Sequence, residues 1–222
     1  MKTILITGAS GNLGSVVVDS FRDRGHRVIT THSRKPPESA AGAIQYVVDL
    51  TDGGQVNDMV SDITSRFGVI DGALLLAGGF ESGSLETAEA TAIHRMITMN
   101  VETAFHTARA VYLQMKQQEN GGRIIFIGAR PALNPAAGSQ HMAYAFSKSL
   151  LFRMMEQMNA DPGTTGFKAC ILVPGTIDTP ENRKWNPEAD FSTWVSPAVM
   201  ADRMDEILHA SANDLTDPVF ML

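Results

Sequence analysis

"TILITGASGNLG", Thr3–Gly14, joins a short β-branched run to a turn that carries three regularly spaced glycines. Thr3–Thr7 predicts a strand buried on both faces, because its apolar residues run together instead of alternating. Gly8, Gly11 and Gly14 follow at G-x-x-G-x-x-G spacing, and a helical pattern begins at Asn12. In a strand–turn–helix unit each glycine has its own task. Gly8 permits the tight turn, Gly11 lets backbone approach a pyrophosphate, and Gly14 lets the helix pack against the strand. The helix N-terminus adds N–H groups and the positive end of a dipole. A plain strand-to-helix turn would need none of this. The stretch therefore predicts dinucleotide binding, with Gly8, Ser10, Asn12, Leu13 and Gly14 as its candidate contacts.

The same alternation continues along the chain. Apolar runs lie at Arg27–Thr31, Ile44–Val48, Gly72–Ala77, Arg123–Gly128, Lys168–Val173 and Pro218–Leu222. Between them, Asn12–Arg24, Gln55–Phe67, Thr87–Met115, His141–Asn159 and Pro197–Ala210 predict helices. Strand–helix repetition with right-handed crossovers implies an α/β, Rossmann-type doubly wound parallel sheet of about seven strands. The 222 residues show no composition break, so one domain over 1–222 is expected. His32–Gly42 predicts a polar loop and Pro180–Trp194 a long irregular insertion, whose Trp185, Phe191 and Trp194 are candidates to cover a pocket.

Composition narrows the partners. A net charge of −6 with scattered cations gives no nucleic-acid stripe and no membrane-binding face. "MKTILITGAS" is too short an apolar stretch for a signal peptide or a membrane span. Cys170 is the sole cysteine and cannot staple the fold, which suits a reducing cytoplasm. The six histidines show no metal-ligand spacing, so no metal is expected.

The end of the second strand bears on which dinucleotide fits. An acid there would suit a ribose 2′-hydroxyl, whereas a 2′-phosphate needs a cation. The segment "TTHSRK", Thr30–Lys35, has no acid but offers Ser33, Arg34 and Lys35. Arg34 can fork onto a phosphate and Ser33 can donate to it, which favours NADP(H) over NAD(H).

"YAFSK", Tyr144–Lys148, supplies the chemistry. Residues four apart share a helix face, so the phenol and the ammonium point together. An ammonium about 4 Å away would favour phenolate by up to ~4 kcal/mol at an effective dielectric near 20. That is roughly 3 pKa units, enough to make tyrosine useful in acid–base catalysis.

With "TGASGNLG", "LLAGG" (Leu75–Gly79) and "MNVETAF" (Met99–Phe105), this pair resembles the short-chain dehydrogenase/reductase family over essentially the whole chain. The resemblance implies that Tyr144 donates the proton, Lys148 tunes it and holds the nicotinamide ribose, and Asn100 supports a proton-relay water. It implies further cofactor contacts at Asp49 and Leu50 in "DLTD", and at Ala77, Gly78 and Gly79. Others fall at Pro174, Gly175, Ile177 and Thr179 in "VPGTIDTP". It also implies a small-molecule substrate and a homodimer or homotetramer, built through the two long helices.

Within the family, "FIGARPALNPAAGSQHMAY" (Phe126–Tyr144) is similar to the dihydropteridine reductase branch, where Gly-Ala replaces the usual serine. Gly128 and Ala129 match that pattern, which points to a polarised imine such as a quinonoid dihydropterin. Phe80 stands where that branch has tryptophan, and Asn100 follows the wider family. Ser139 and His141 are candidates for the missing donor. The alternative function is a non-catalytic NADP(H)-binding sensor. A sugar-nucleotide epimerase would need a further substrate domain for which this chain is too short.

Overall fold

A computed structural model describes residues 1–34, 42–163 and 165–222. Seven parallel strands form one sheet in the order β3-β2-β1-β4-β5-β6-β7. These are β1 (Thr3–Thr7), β2 (Arg27–His32), β3 (Ile44–Val47), β4 (Gly72–Leu75), β5 (Gly122–Ile127), β6 (Phe167–Val173) and β7 (Val219–Met221). The order reverses between β1 and β4, and a doubly wound sheet opens its binding crevice there, beyond the strand C-termini.

The buried runs explain why both faces carry helices. Leu5, Ala73, Leu75, Ile124, Phe126 and Ile171 turn to one side, under α2 (Gly53–Phe67), α4 (Thr103–Met115) and α6 (Met142–Asn159). Their neighbours Ile4, Ile6, Leu74, Ile125, Cys170 and Leu172 turn to the other, under α1 (Asn12–Asp23) and α8 (Pro197–His209). Burying each such aliphatic side chain contributes about 1.5–3 kcal/mol, which is why continuous apolar runs become central strands. Cys170 is a fully buried free thiol whose pKa burial pushes up to about 12, so it packs as a small hydrophobe. No helix among the described residues is long and apolar enough to cross a membrane.

Two expectations need correction. The helix expected over Thr87–Met115 is broken: α3 (Ala90–Ile97) passes through a π-helical turn, Thr98–Glu102, into α4. The Pro180–Trp194 insertion is not wholly irregular, because Thr179 caps the short helix α7 (Pro180–Trp185) and a 3-10 turn follows at Phe191–Thr193. Another short helix, α5 (Pro135–Gly138), precedes α6. Much of the polar loop predicted over His32–Gly42, including Lys35, lies outside the described residues.

Candidate active site

The glycine turn is built as its spacing demands. Gly8 has φ +67°, and a Cβ there would sit 2.7 Å from the Ala77 nitrogen. Any Cβ on Gly14 would collide with the Gly8 carbonyl oxygen. Gly11 N–H donates to that carbonyl at 3.0 Å, and Ala77 N–H donates to Thr7 Oγ1 at 3.1 Å. The turn is thereby fixed between the ends of β1 and β4. Gly11 occupies the N-cap of α1 and supplies no side-chain cap, whereas Asp52 caps α2 through Gly54 and Gln55 N–H. A bare helix N-terminus beside a glycine cradle fits a phosphate group. Ser10 and Asn12 are exposed at this mouth and Leu13 is half-buried. Asn12 Nδ2 donates to Glu181 Oε2 at 3.3 Å, linking the turn to the start of α7.

Ser33 and Arg34 are exposed directly beyond β2, free to face a ligand there. His32, which sequence reading passed over, extends that strand and turns inward, with 6% of its surface exposed. Its Nδ1 lies 2.8 Å from Ser10 Oγ and its Nε2 lies 3.0 Å from Thr30 Oγ1. The available signal was the period of two that puts Thr30 and His32 on one strand face. Asp49 follows β3 as an exposed carboxylate, and Leu50 is half-buried. Asp49 Oδ1 accepts from Thr51 N–H and Oγ1, which lowers its pKa and keeps it ionised.

Across the crevice, α6 presents Tyr144 and Lys148, whose Nζ lies 5.8 Å from the phenol ring centroid. Lys148 is buried, and its ammonium donates to the Ile127 carbonyl at the end of β5, 2.9 Å away. A Cβ on Gly78 would stand 3.7 Å from that nitrogen, so the lysine reaches the β4 turn. Ser147 is wholly buried, donating to the Tyr144 carbonyl at 2.8 Å. Asn100, on the π-helical turn, donates to Ser147 Oγ and to Gly79 O, each at 3.0 Å, and accepts from Gly79 N–H at 2.9 Å. Both side-chain donors are thus committed to bracing Gly79 and α6. The relay water expected at Asn100 would have to meet other atoms of that residue.

The expected acidification of Tyr144 is not what the structure holds. Burial pushes the phenol up to about 12 and, in the same pocket, pushes the Lys148 ammonium down to about 8. Charge attraction by itself favours phenolate. Desolvation acts on both groups and opposes it.

The remaining candidates fall around this centre. Gly128 and Ala129 are buried directly after β5, with no hydroxyl at either position. Ser139 ends α5, and its hydroxyl donates to Ala136 O at 2.9 Å. His141 is the N-cap residue of α6, within 3.3 Å of Ser82 Oγ. Phe80 packs against both His141 and Tyr144, with ring centroids 5.0 Å apart in each pair, yet stays 60% exposed. Pro174, Gly175 and Ile177 line the loop after β6, and the Ile177 carbonyl accepts from Asn182 Nδ2 at 2.8 Å. Thr179 Oγ1 accepts from Asn182 N–H at 3.2 Å, which leaves its O–H free to donate. Trp185 is exposed, whereas Phe191 and Trp194 pack edge-on to each other. Far from the crevice, His26 and His209 flank Asp205, which ties the turn before β2 to α8. His26 Nδ1 already accepts from Lys2 N–H and His209 Nδ1 already meets the Asp205 carbonyl, so the cluster reads as a structural latch.

A short chain dehydrogenase family model matches residues 2–190. A dihydropteridine reductase of Dictyostelium discoideum is 28% identical over 210 residues, covering 92% of this chain and 87% of that one. A cyclic-di-GMP-binding biofilm dispersal mediator protein of Escherichia coli (strain K12) is 31% identical over 196 residues, covering 86% and 79%. Among solved structures, BdcA in complex with NADPH superposes with a TM-score of 0.81 at 25% identity, covering 100% of this chain and 92% of that one. ElxO with NADP bound gives a TM-score of 0.85 at 20% identity, covering 99% and 96%.

Proposed function

The chain belongs to the short-chain dehydrogenase family, and on that premise we propose that it is an NADP(H)-dependent reductase of a carbonyl or imine substrate. The observation that carries this reading is the meeting of Tyr144 and Lys148 with the β4 turn, across the crevice from the glycine cradle. In this reading residues 1–222 form a single dinucleotide-binding catalytic domain.

Gly8, Ser10, Asn12, Leu13 and Gly14 would hold the pyrophosphate side of the cofactor. Asp49 and Leu50 would meet the adenine, and Ser33 and Arg34 the 2′-phosphate. Ala77, Gly78, Gly79 and Lys148 would hold the ribose side toward the ring, with Pro174, Gly175, Ile177 and Thr179 at its carboxamide. When bound, the cofactor supplies a hydride.

The residues of this chain manage the proton. Tyr144 Oη, kept neutral by burial, gives its proton to the substrate oxygen or nitrogen as that atom gains negative charge. Lys148, charged at neutral pH, stabilises the phenolate left behind. Asn100 and Ser147 hold the two sides of the site in register. No serine hydroxyl stands at Gly128 or Ala129 to polarise a carbonyl, which favours a substrate already activated, such as a quinonoid dihydropterin. The dihydropteridine reductase relative supports the same substrate class. Phe80, beside Tyr144, offers such a planar ring an exposed aromatic face.

The assembly in this reading is a homodimer or homotetramer in the cytoplasm, joined through α4 and α6. Exposed Phe105, Leu113, Phe146 and Leu150 on those helices support it.

The second reading, a non-catalytic NADP(H)-binding sensor, draws on the missing serine and on the E. coli relative named as a dispersal mediator. Substitution Tyr144→Phe separates the two. A reductase should lose kcat for NADPH oxidation by about 10²–10⁴-fold with a quinonoid dihydropterin, quinone or ketone substrate, while NADPH still binds. A wild-type protein that binds NADPH but oxidises it with none of these substrates would favour the sensor.

A further inference from the structure

Thr30 and His32 lie two apart on β2, so both side chains point to the same face, toward the glycine turn. Thr30 is fully buried, and the only hydrogen-bond partner of its hydroxyl among the described residues is His32 Nε2, at 3.0 Å. A buried hydroxyl that fails to donate is penalised, so Thr30 gives its proton to Nε2. A neutral imidazole that accepts at Nε2 carries its hydrogen on Nδ1. That nitrogen lies 2.8 Å from Ser10 Oγ. The ring therefore donates to Ser10, and the exposed serine keeps its own O–H for a group outside the protein.

We propose that the Thr30–His32–Ser10 chain makes Ser10 a dedicated hydrogen-bond donor to a phosphate oxygen of the bound dinucleotide, with His32 as its positioning residue. This rests on the reading of the crevice as a dinucleotide site, and goes beyond it by fixing the direction of every proton in the chain. A doubly protonated ring would donate from both nitrogens and leave the Thr30 proton with no acceptor. Burial lowers the His32 pKa in the same sense. The phosphate has two sources, the pyrophosphate common to NADPH and NADH or the 2′-phosphate of NADPH alone.

The experiment combines a spectroscopic and a binding readout on the full chain. Nitrogen-15 NMR of the wild-type histidines should show His32 protonated on Nδ1, and NADPH should perturb that signal. By calorimetry, Ser10→Ala should weaken NADPH binding about tenfold, the loss of one charge-assisted hydrogen bond. His32→Leu should match it, and the double variant should lose nothing more. His32→Asn, whose amide can donate from nearly the Nδ1 position, should recover most of the affinity. Equal losses for NADPH and NADH identify the pyrophosphate; a loss for NADPH alone identifies the 2′-phosphate. A proton on Nε2, unchanged affinity in Ser10→Ala, or additive losses in the double variant would overturn the proposal. Failure of the wild-type chain to bind either nucleotide would instead remove the dinucleotide reading beneath it.

Discussion

Asn100 Nδ2 donates to Ser147 Oγ at 3.0 Å, joining the π-helical turn to the helix that carries Tyr144 and Lys148. The same amide brackets Gly79 from both sides, so three groups, two on the turn after β4 and one on α6, meet one buried side chain.

Replacing Asn100 with alanine strands the Gly79 N–H and the Gly79 carbonyl and takes one donor from Ser147 Oγ, whose own proton still goes to the Tyr144 carbonyl. Each unsatisfied buried group costs about 1–3 kcal/mol, less whatever water recovers. We expect Asn100→Ala to lower stability by about 2–4 kcal/mol, read as a drop of roughly 5–15 °C in a thermal melt. Ser147→Ala, which removes the partner instead, should cost about 1 kcal/mol. Equal melting temperatures for wild type and Asn100→Ala would refute the bracing role.

The pH profile follows from burial. Lys148 titrates near 8 in the folded chain, so kcat/KM for reduction should be level through neutrality and decline above about pH 8. Tyr144, pushed up to about 12, stays protonated across that range and should contribute no limb of its own there. Lys148→Arg, where it retains measurable activity, should carry the decline to higher pH, because guanidinium does not deprotonate. The stability sign is opposite for the two groups. Between about pH 8 and the ordinary lysine value of 10.5 the unfolded chain binds more protons at Lys148, so that contribution rises with pH. Above pH 10 the unfolded chain releases the Tyr144 proton first, so that contribution falls.

Arg34 stands exposed at the end of β2 with no acid beside it in the sequence. Arg34→Ala should raise the KM for NADPH about tenfold and leave that for NADH nearly unchanged, since only the former carries a 2′-phosphate. An unaltered cofactor preference would show that the discrimination lies elsewhere.

The fold was legible because its signals are local. Buried runs such as Thr3–Thr7 and the glycine spacing after them depend on neighbours in sequence, and the seven-strand sheet follows from their repetition. What sequence could not give were consequences of packing. The break at Thr98–Glu102 is invisible to helical periodicity, because a π-turn keeps apolar residues inward while adding one to the turn. Spacing alone predicts that the lysine acidifies Tyr144, because it shows charge proximity and not the desolvation that packing imposes on both groups. His32 was overlooked because a polar residue at a strand end ordinarily faces water; only the folded turn shows Ser10 across from it.

The central position of β1 has a biosynthetic consequence. It is flanked by β2, which follows at once, and by β4, paired through Ile4↔Gly72, while α6 arrives much later in the chain. As the polypeptide leaves the ribosome, the phosphate cradle can be shaped well before the tyrosine–lysine helix exists to face it. The strands that shape the glycine turn should therefore be made before the tyrosine–lysine helix, while the part of the crevice that draws on Lys148 and the loop after β6 waits for the rest of the chain.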